Sequence, residues 1–509
     1  MSWAALRGDQ EAAAPALDRG SAHDPAPTSE PARAPEPAPV EAVEKPFSSL
    51  APAIIGASML MQTLSATVLS NALPTMARSL HEDPVHLNTA ITIYLLAGAI
   101  FLPVSGWAAD KYGARRVFLI AIGLYGASCA ASALAQNLAE LLTARFCQGA
   151  AGAMMGPVGR LVLLRSTPKH DLVRAMSVLT MPALLGPVIG PAIGGLIVTY
   201  GSWRWIFLFN LPIAAVGILL VLRFIDDVRE EAAAPLDWVG LVLTAVGMAA
   251  VVYGFENLGR DDLPALGVAG LLGGGAGLLA IYAWYADRNP YAILDLKLLR
   301  IRTFFASVVG GAFLRMGVGA LPFLLALLLQ VAFGFSPFHA GLMTLASAAA
   351  ALVMKTAAPP ILAHFGFRRT LTVNAALVGA LFMACALFTR QTPVWFITLL
   401  LLTGGFFRSL QFTSLNGLAF ADVETQQMSR ASTMSTMGQQ LAQSIGVGLA
   451  ATMLHLFQVR QHAEAVSVAV ISPVFLIIGV VTLISGLFFV ALPADAGAAL
   501  HGRPRRVRG

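Results

Sequence analysis

Four cationic residues lie inside long apolar stretches of the chain, at Arg145, Arg315, Lys355 and Arg408. Charge is expensive in hydrocarbon, so cations in such places usually serve a function. If their helices line one cavity, the unpaired positive charge would favour anionic ligands. For each cation alone, an equal alternative is a hydrogen bond to a helix carbonyl, a side chain that extends toward water, or a contact that latches helices together. The hypothesis of anion binding therefore depends on all four cations taken together.

A second set of candidate residues is polar and uncharged. Near the C-terminus, helical spacing aligns four of them on one face: Ser432, Thr436, Gln439 and Gln443. Gln62 and Ser65 lie together in the first apolar stretch. Such side chains either line a wet cavity or join helices by hydrogen bonds, and both interpretations remain open. All six are candidates for contact with a substrate.

Other kinds of chemistry are not indicated. Cys129, Cys147 and Cys385 each lie in an apolar stretch, without CxxC spacing or paired histidines that would suggest a metal site. The Gly-rich run at 273–277 lacks the strand, helix and lysine of a phosphate-binding loop, and we interpret it as helix packing. The sequence predicts no catalytic residues, no metal and no cofactor, so we do not expect an enzyme.

The elements that must position these residues are membrane helices. Hydrophobic residues make up 57% of the chain and charged residues 12%, against about 25% charged in soluble proteins. The apolar blocks of about 20 residues are long enough to cross a bilayer of about 30 Å as helices. The uninterrupted apolar stretch 117–134 excludes the alternating strands of a barrel. Basic residues are dispersed among the loops, so the net charge of +6 does not indicate nucleic-acid binding.

Fourteen membrane spans are predicted, which defines an all-α integral membrane protein. They are 50–76, 87–108, 117–137, 139–161, 175–199, 205–225, 238–257, 264–286, 304–331, 338–363, 370–389, 394–418, 431–456 and 468–491. Residues 1–46, rich in Ala and Pro, are predicted to be a disordered tail. Most Lys and Arg residues lie in loops after even-numbered spans and in the basic tail 492–509, which places both termini in the cytoplasm.

The loop after the second span carries a specific motif. Residues 106–116 read G-W-A-A-D-K-Y-G-A-R-R and match the G-x-x-x-D-[RK]-x-G-x-[RK]-[RK] signature of the major facilitator superfamily. Its defined positions are Gly106, Asp110, Lys111, Gly113, Arg115 and Arg116. Gly106 permits close helix approach, Gly113 permits a tight turn and Asp110 can pair with a cation or a helix terminus. These contacts would latch one conformation, whereas the alternative is an ordinary basic loop.

Further signatures follow. Gly366-Phe367-Arg368-Arg369 repeats the end of this motif after the tenth span, which indicates duplicated halves. In the fifth span, five small or bending residues resemble the antiporter signature of drug exporters: Gly186, Pro187, Gly190, Pro191 and Gly194. Glycines four residues apart form a smooth face and the prolines bend the helix, as a pliant gate requires, although simple small-residue packing gives the same pattern.

Together these motifs resemble the fourteen-span drug:proton antiporters of the EmrB/QacA type. The resemblance implies a major facilitator fold with six-helix bundles at 47–226 and 291–491, joined by two additional spans at 227–290. It also implies a monomer in the bacterial plasma membrane that exports small molecules by alternating access, in exchange for protons. The expected partners are therefore a small-molecule substrate, protons and the lipid bilayer.

The sequence departs from this family at one informative position. The pattern L-D-x-T-x-x-N-x-A-L-P appears here with Ser65 in place of the acid and Ser70 in place of the asparagine. The predicted spans contain only two acidic residues, Glu140 and Glu256, and both lie near span ends. Proton coupling therefore follows from the resemblance and not from the residues. An importer or exchanger of organic anions, and a membrane sensor that does not transport, remain alternatives.

Overall fold

The computed structural model describes residues 50–166, 172–225, 235–258, 263–289, 292–424, 427–463, 466–493 and 495–497. The predicted disordered tail 1–46 and the end of the basic tail lie outside these residues. Secondary structure is helical throughout the described part, and eleven of its helices are long and apolar enough to cross a membrane. The all-α membrane fold predicted from the sequence is confirmed.

The helices follow the predicted spans closely. The first set is α1 (Leu50–Leu80), α2 (Thr89–Tyr112), α3 (Ala114–Leu134), α4 (Leu138–Ser166), α5 (Leu172–Tyr200) and α6 (Trp205–Phe224). Two helices follow, α7 (Trp238–Glu256) and α8 (Ala265–Arg288). The last set is α9 (Arg302–Ala332), α10 (Pro337–Cys385), α11 (Val394–Phe420), α12 (Met428–Arg460) and α13 (Val468–Val490). Every predicted span coincides with a helical segment, although the division into bundles at the stated boundaries stays a prediction.

The tenth and eleventh predicted spans are not separated by a loop. They are two helices that meet at Gly366, whose φ of 74° and ψ of 164° lie outside the helical region, and the label α10 covers both of them. Gly113, between α2 and α3, has φ of 92° and ψ of 131°. Positive φ is strained for residues with a Cβ, so both positions need glycine. The repeated Gly-x-Arg-Arg sequence is thus matched by a repeated backbone feature.

The Gly-rich run of α8 packs only in part. A Cβ on Gly275 would lie 2.9 Å from the carbonyl oxygen of Gly247, so this glycine allows α8 to pack closely on α7. Nothing lies within 4 Å of a Cβ built on Gly273, Gly274 or Gly277. The interpretation of the run as helix packing is therefore right for Gly275 and wrong for those three positions.

Candidate functional site

A cavity of about 680 Å³ lies among α1, α2, α4, the start of α7 and the start of α12. The side chains that line it and carry polar or charged groups are Gln62, Ser105, Trp107, Asp110, Arg160, Asp237, Ser429, Arg430, Ser432, Thr433, Thr436 and Gln440. It opens at the end of the bundle where α2 and α4 end and α12 begins. We call this end the basic face, because it carries Lys111, Arg115 and Arg116, and the other end the opposite face.

Three of the six predicted polar residues line the cavity, namely Gln62, Ser432 and Thr436. Gln62 lies at its deep end, where Nε2 donates to the carbonyl oxygen of Gly152 at 2.8 Å. Ser65 is buried away from the cavity and its Oγ accepts a hydrogen bond from Asn210 at 3.1 Å.

The polar stripe of α12 is rotated from its predicted position. Gln439 and Gln443 are partly exposed but are not part of the lining. Ser429, Thr433 and Gln440 take their place. Spacings of three and four residues both suit a helix face, so the sequence alone could not decide which residues extend the stripe.

None of the four predicted cations lines the cavity in this conformation. Arg145 is fully buried, with Nε donating to the carbonyl oxygen of Ala90 at 3.2 Å and Nη1 donating to Oε1 of Gln148 at 2.6 Å. Its guanidinium carbon lies 4.2 Å from the centre of the Tyr94 ring. Arg145 therefore joins α4 to α2 through a hydrogen bond and a cation–π contact.

The three cations of the second half are also placed elsewhere. Arg315 is fully buried and its Nη1 donates to the carbonyl oxygen of Ser307 at 2.9 Å, within the same helix. Arg408 is half-buried and its Nη2 donates to Oγ of Ser347, which ties α11 to α10. Lys355 is exposed on α10 and is absent from the cavity lining. For the three arginines the alternative stated above, bonding between helices or to carbonyls, describes the structure better.

Arg160 is a cationic lining residue inside a predicted span that the sequence analysis did not single out. It lies near the end of α4, within the predicted span 139–161, and its side chain is exposed in the cavity wall. Gly152 and Gly156 precede it on the same helix face at intervals of four residues and also line the cavity. That spacing is a signal in the sequence that could have identified Arg160.

The acidic lining residue Asp237 organises the start of α7. Its Oδ1 accepts hydrogen bonds from the backbone N–H of Gly240 at 2.9 Å and from the hydroxyl of Tyr285 at 2.8 Å. Its Oδ2 accepts from the backbone N–H of Ile293 at 3.3 Å. This carboxylate caps α7 and fastens the connection after α8 to the rim of the cavity.

The signature motif at 106–116 lies at the mouth of the cavity, at the end of α2 and the start of α3. Gly106 is exposed there and nothing lies within 4 Å of a Cβ built on it, so the close helix approach predicted for Gly106 is absent in this conformation. Lys111 Nζ lies 4.8 Å from the centre of the Trp107 ring. Arg115 Nη2 donates to the carbonyl oxygen of Leu222 at 2.5 Å, and Arg116 is exposed. Asp110 lines the cavity beside them.

At the opposite face the two sets of helices are in direct contact. Asn71 of α1 donates through Nδ2 to the carbonyl oxygens of Pro191 at 2.9 Å and Pro337 at 3.2 Å. Gln330, in a π-helical turn of α9, donates to the backbone oxygen of Asn71 at 2.8 Å and to its Oδ1 at 3.0 Å. Ser444 of α12 adds a hydrogen bond to the carbonyl oxygen of Thr92 at 3.3 Å. These bonds close this end of the cavity.

Glycines make this closure possible. A Cβ on Gly341 would lie 2.3 Å from the carbonyl oxygen of Pro191, and one on Gly195 would lie 2.3 Å from that of Pro337. The backbones of α5 and α10 therefore touch, at a distance that only glycine allows. No ion pair joins α5 to α10 among the described residues.

The predicted glycine face of α5 lies against α1. Cβ atoms on Gly186, Gly190 and Gly194 would meet Thr63, Thr67 and Val68 respectively, each within 2.6 Å. Pro187 is exposed and Pro191 is half-buried, and both lie within the helix. The glycines thus set how closely α5 approaches α1 beside the cavity.

Comparisons with known proteins agree with this architecture. The sequence profile of the Major Facilitator Superfamily matches residues 55–447 and, separately, residues 303–507. The chain is 38% identical over 444 residues to "Putative multidrug resistance protein MdtD" of Escherichia coli strain SMS-3-5, covering 87% of this chain and 92% of that protein.

Two solved structures share the fold at low sequence identity. The POT family transporter PepTSo superposes with a TM-score of 0.65 at 14% identity, covering 87% of this chain and 97% of the other. The D-xylose-proton symporter superposes with a TM-score of 0.61 at 15% identity, covering 88% and 98%. The family profile, the relative and the helical architecture all agree: this multi-pass membrane chain belongs to the major facilitator superfamily and is a transporter, not an enzyme.

Proposed function

We propose that the chain is a secondary active exporter of small molecules that works by alternating access. The observation that carries the proposal is the asymmetry of the cavity, which opens at the basic face and is closed at the opposite face by contacts between the two sets of helices. Rocking of the two bundles around the cavity would exchange the open and closed ends.

The direction of transport depends on orientation. Cations concentrated at the basic face favour a cytoplasmic location for it, and hence for both termini. In this orientation the described conformation admits substrate from the cytoplasm. The name of the relative MdtD, a putative multidrug resistance protein, supports export of drug-like compounds. The membrane would then be the bacterial inner membrane, and the working unit one chain in lipid.

The motif residues receive mechanical roles in this proposal. Closure of the basic face would bring the start of α12 toward Gly106, whose missing side chain leaves room for close approach. Asp110, Lys111 and Arg115 would hold that second conformation by charge. The glycines of α5 would let this helix slide along α1 without obstruction by side chains.

Membership of the fourteen-span drug:proton antiporter class, and proton coupling, belong to the proposal as well. The order of the helices and the motif at 106–116 support the class. At the position where the family has an acid, Ser65 bonds to Asn210 and cannot carry a proton between the two faces. Glu140 lies at the start of α4, where it accepts a hydrogen bond from Asn137, so it cannot carry protons through the middle of the membrane. Exchange of a protonatable substrate fits this arrangement better than a proton relay of carboxylates.

Transport in inside-out vesicles with an imposed pH gradient tests the proposal. The dyes rhodamine 123 and fluorescein are matched in size and opposite in charge, so they serve as probes. We expect at least one dye to accumulate when the lumen is acidic and not when the gradient is collapsed. Uptake into right-side-out vesicles would indicate the importer instead. Ligand-dependent conformational change without flux of either dye would indicate the sensor.

A further inference from the structure

One charged side chain in the cavity has no partner within the described part of the chain. Arg160 makes no hydrogen bond or ion pair among the residues that the structure describes, although it is exposed in the cavity wall. The remaining charged lining residues are engaged. Asp237 accepts three hydrogen bonds, Arg430 lies 3.5 Å from Asp295, and Asp110 has an interaction of its own. The cavity therefore presents one guanidinium with its donors unused.

The wall next to Arg160 is shaped to hold a ligand against it. Gly156 lies one turn before Arg160 on the same face of α4, so a groove without a side chain runs about 6 Å from Arg160 to Gly156, at 1.5 Å per residue. Further along, a Cβ built on Gly152 would already meet Gln62 at 3.2 Å. A Cβ on Gly156 would have only the end of Met59 nearby, at 3.9 Å. The groove ends at Gln62, whose amide bonds to the carbonyl oxygen of Gly152. A small molecule can lie along this groove without displacing a side chain.

The facing wall supplies hydrogen-bonding groups, and its one charged lining residue on α12, Arg430, is paired with Asp295 at 3.5 Å. Ser432, Thr433 and Thr436 of α12 line the cavity with hydroxyl groups, which can donate to the oxygens of an anion. A guanidinium presents its donors in a planar fork that matches two oxygens of a carboxylate or phosphate. A cationic ligand at the same place would meet the positive charge of Arg160 directly.

We infer that Arg160 binds the carboxylate or phosphate group of an anionic substrate, whose body lies beside Gly156 in the groove toward Gln62. The inference rests on the proposed function, because it names the substrate class that the exporter selects. It assigns anion selectivity to Arg160 and not to the four buried or outward-placed cations that the sequence suggested.

Equilibrium binding to the purified full-length chain in lipid nanodiscs tests the inference. Fluorescence anisotropy is measured with fluorescein as the anionic probe and rhodamine 123 as the cationic probe. We expect Arg160→Gln to weaken fluorescein binding by about tenfold or more, as loss of a charge-assisted hydrogen bond predicts, with rhodamine binding unchanged or tighter. The matched control is Arg302→Gln, an exposed arginine at the start of α9 that is outside the cavity lining. It should change neither affinity by more than about twofold.

Arg160→Lys keeps the charge but loses the fork, so it should give an intermediate loss for fluorescein. It also carries the test if the glutamine variant fails to fold. Equal losses for both dyes, or no loss for fluorescein, would overturn the inference, as would a wild-type chain that does not prefer fluorescein. If fluorescein binds through Arg160 but neither dye is transported in vesicles, the proposed export fails while the anion site stands.

Discussion

The two ends of the cavity are built from different interactions. At the opposite face, closure relies on neutral amides and on backbones in contact at Gly195 and Gly341. At the basic face, charged side chains surround an opening, and Gly106 has no neighbour within 4 Å of its Cβ position. Short-range packing thus holds the closed end, while charge is concentrated at the open end. We expect steric changes to act mainly on the first and changes of salt concentration mainly on the second.

The strongest test of this difference is Gly341→Ala. The new Cβ would lie 2.3 Å from the carbonyl oxygen of Pro191, a backbone atom that cannot move alone. Overpacking of this kind costs about 1–3 kcal/mol, which would shift the population away from closure of the opposite face by roughly 5- to 150-fold. The gain of about 1 kcal/mol in helix propensity acts equally in both conformations, so it does not affect this ratio.

The fraction of molecules with the opposite face closed is measured by the distance between two spin labels at that face. Suitable positions are the exposed residues Leu134, at the end of α3, and Trp395, near the start of α11. The three native cysteines are replaced first so that only these sites carry labels. Gly341→Ala should add a population at longer distance. An unchanged distance distribution in a folded variant would show that the backbone contact does not hold the closed end.

A smaller effect is expected from Asn71→Ala. This change removes the hydrogen bond to Pro337, which joins the two sets of helices, and leaves Gln330 without its side-chain acceptor. It also removes a bond to Pro191 within the first set. Water replaces part of these hydrogen bonds when the face opens, so their loss should cost the closed conformation about 1–2 kcal/mol. That cost corresponds to a shift of roughly 5- to 30-fold toward opening of the opposite face. The same pair of spin labels reports it.

The control for that variant is Asn374→Ala. Asn374 is equally buried and donates to Phe407 and Gln411, both within the second set of helices. Its loss should lower the free energy of unfolding without a change in the label distance. If both variants lengthened the distance equally, Asn71 would have no specific part in closure.

The sequence predicted the helices better than it predicted what they face. Continuous apolar blocks predict helices directly, and even the kink of α10 is marked by Gly366 in a repeated motif. The direction of a side chain around the helix depends on its packing partners, which a single span does not specify. Arg145 faces Tyr94 because α2 and α4 pack there, and its own span does not specify that neighbour.

The same limit explains which site residues were found. Gln62 and Thr436 were predicted because a polar residue in an apolar span is conspicuous. Arg160 lies near the end of its span, where a cation is ordinarily attributed to the neighbouring loop, so its position alone does not indicate a binding residue. The contacts of Asn71 with Pro191 and Pro337 join distant parts of the chain, and no local pattern encodes them.

The smallest effect is expected from Gly106→Ala, the same substitution as at Gly341 but at the open end. A methyl group here would enter the cavity mouth, with nothing within 4 Å, so it should add no steric cost to the described conformation. The gain of about 1 kcal/mol in helix propensity again acts on both conformations and leaves their ratio unchanged. The label distance between Leu134 and Trp395 should match that of the wild-type chain. Export of dye should nevertheless slow, because the proposed second conformation brings α12 onto Gly106. Slower export with an unchanged resting distance would locate the defect in closure of the basic face, whereas normal export would remove Gly106 from the proposed mechanism.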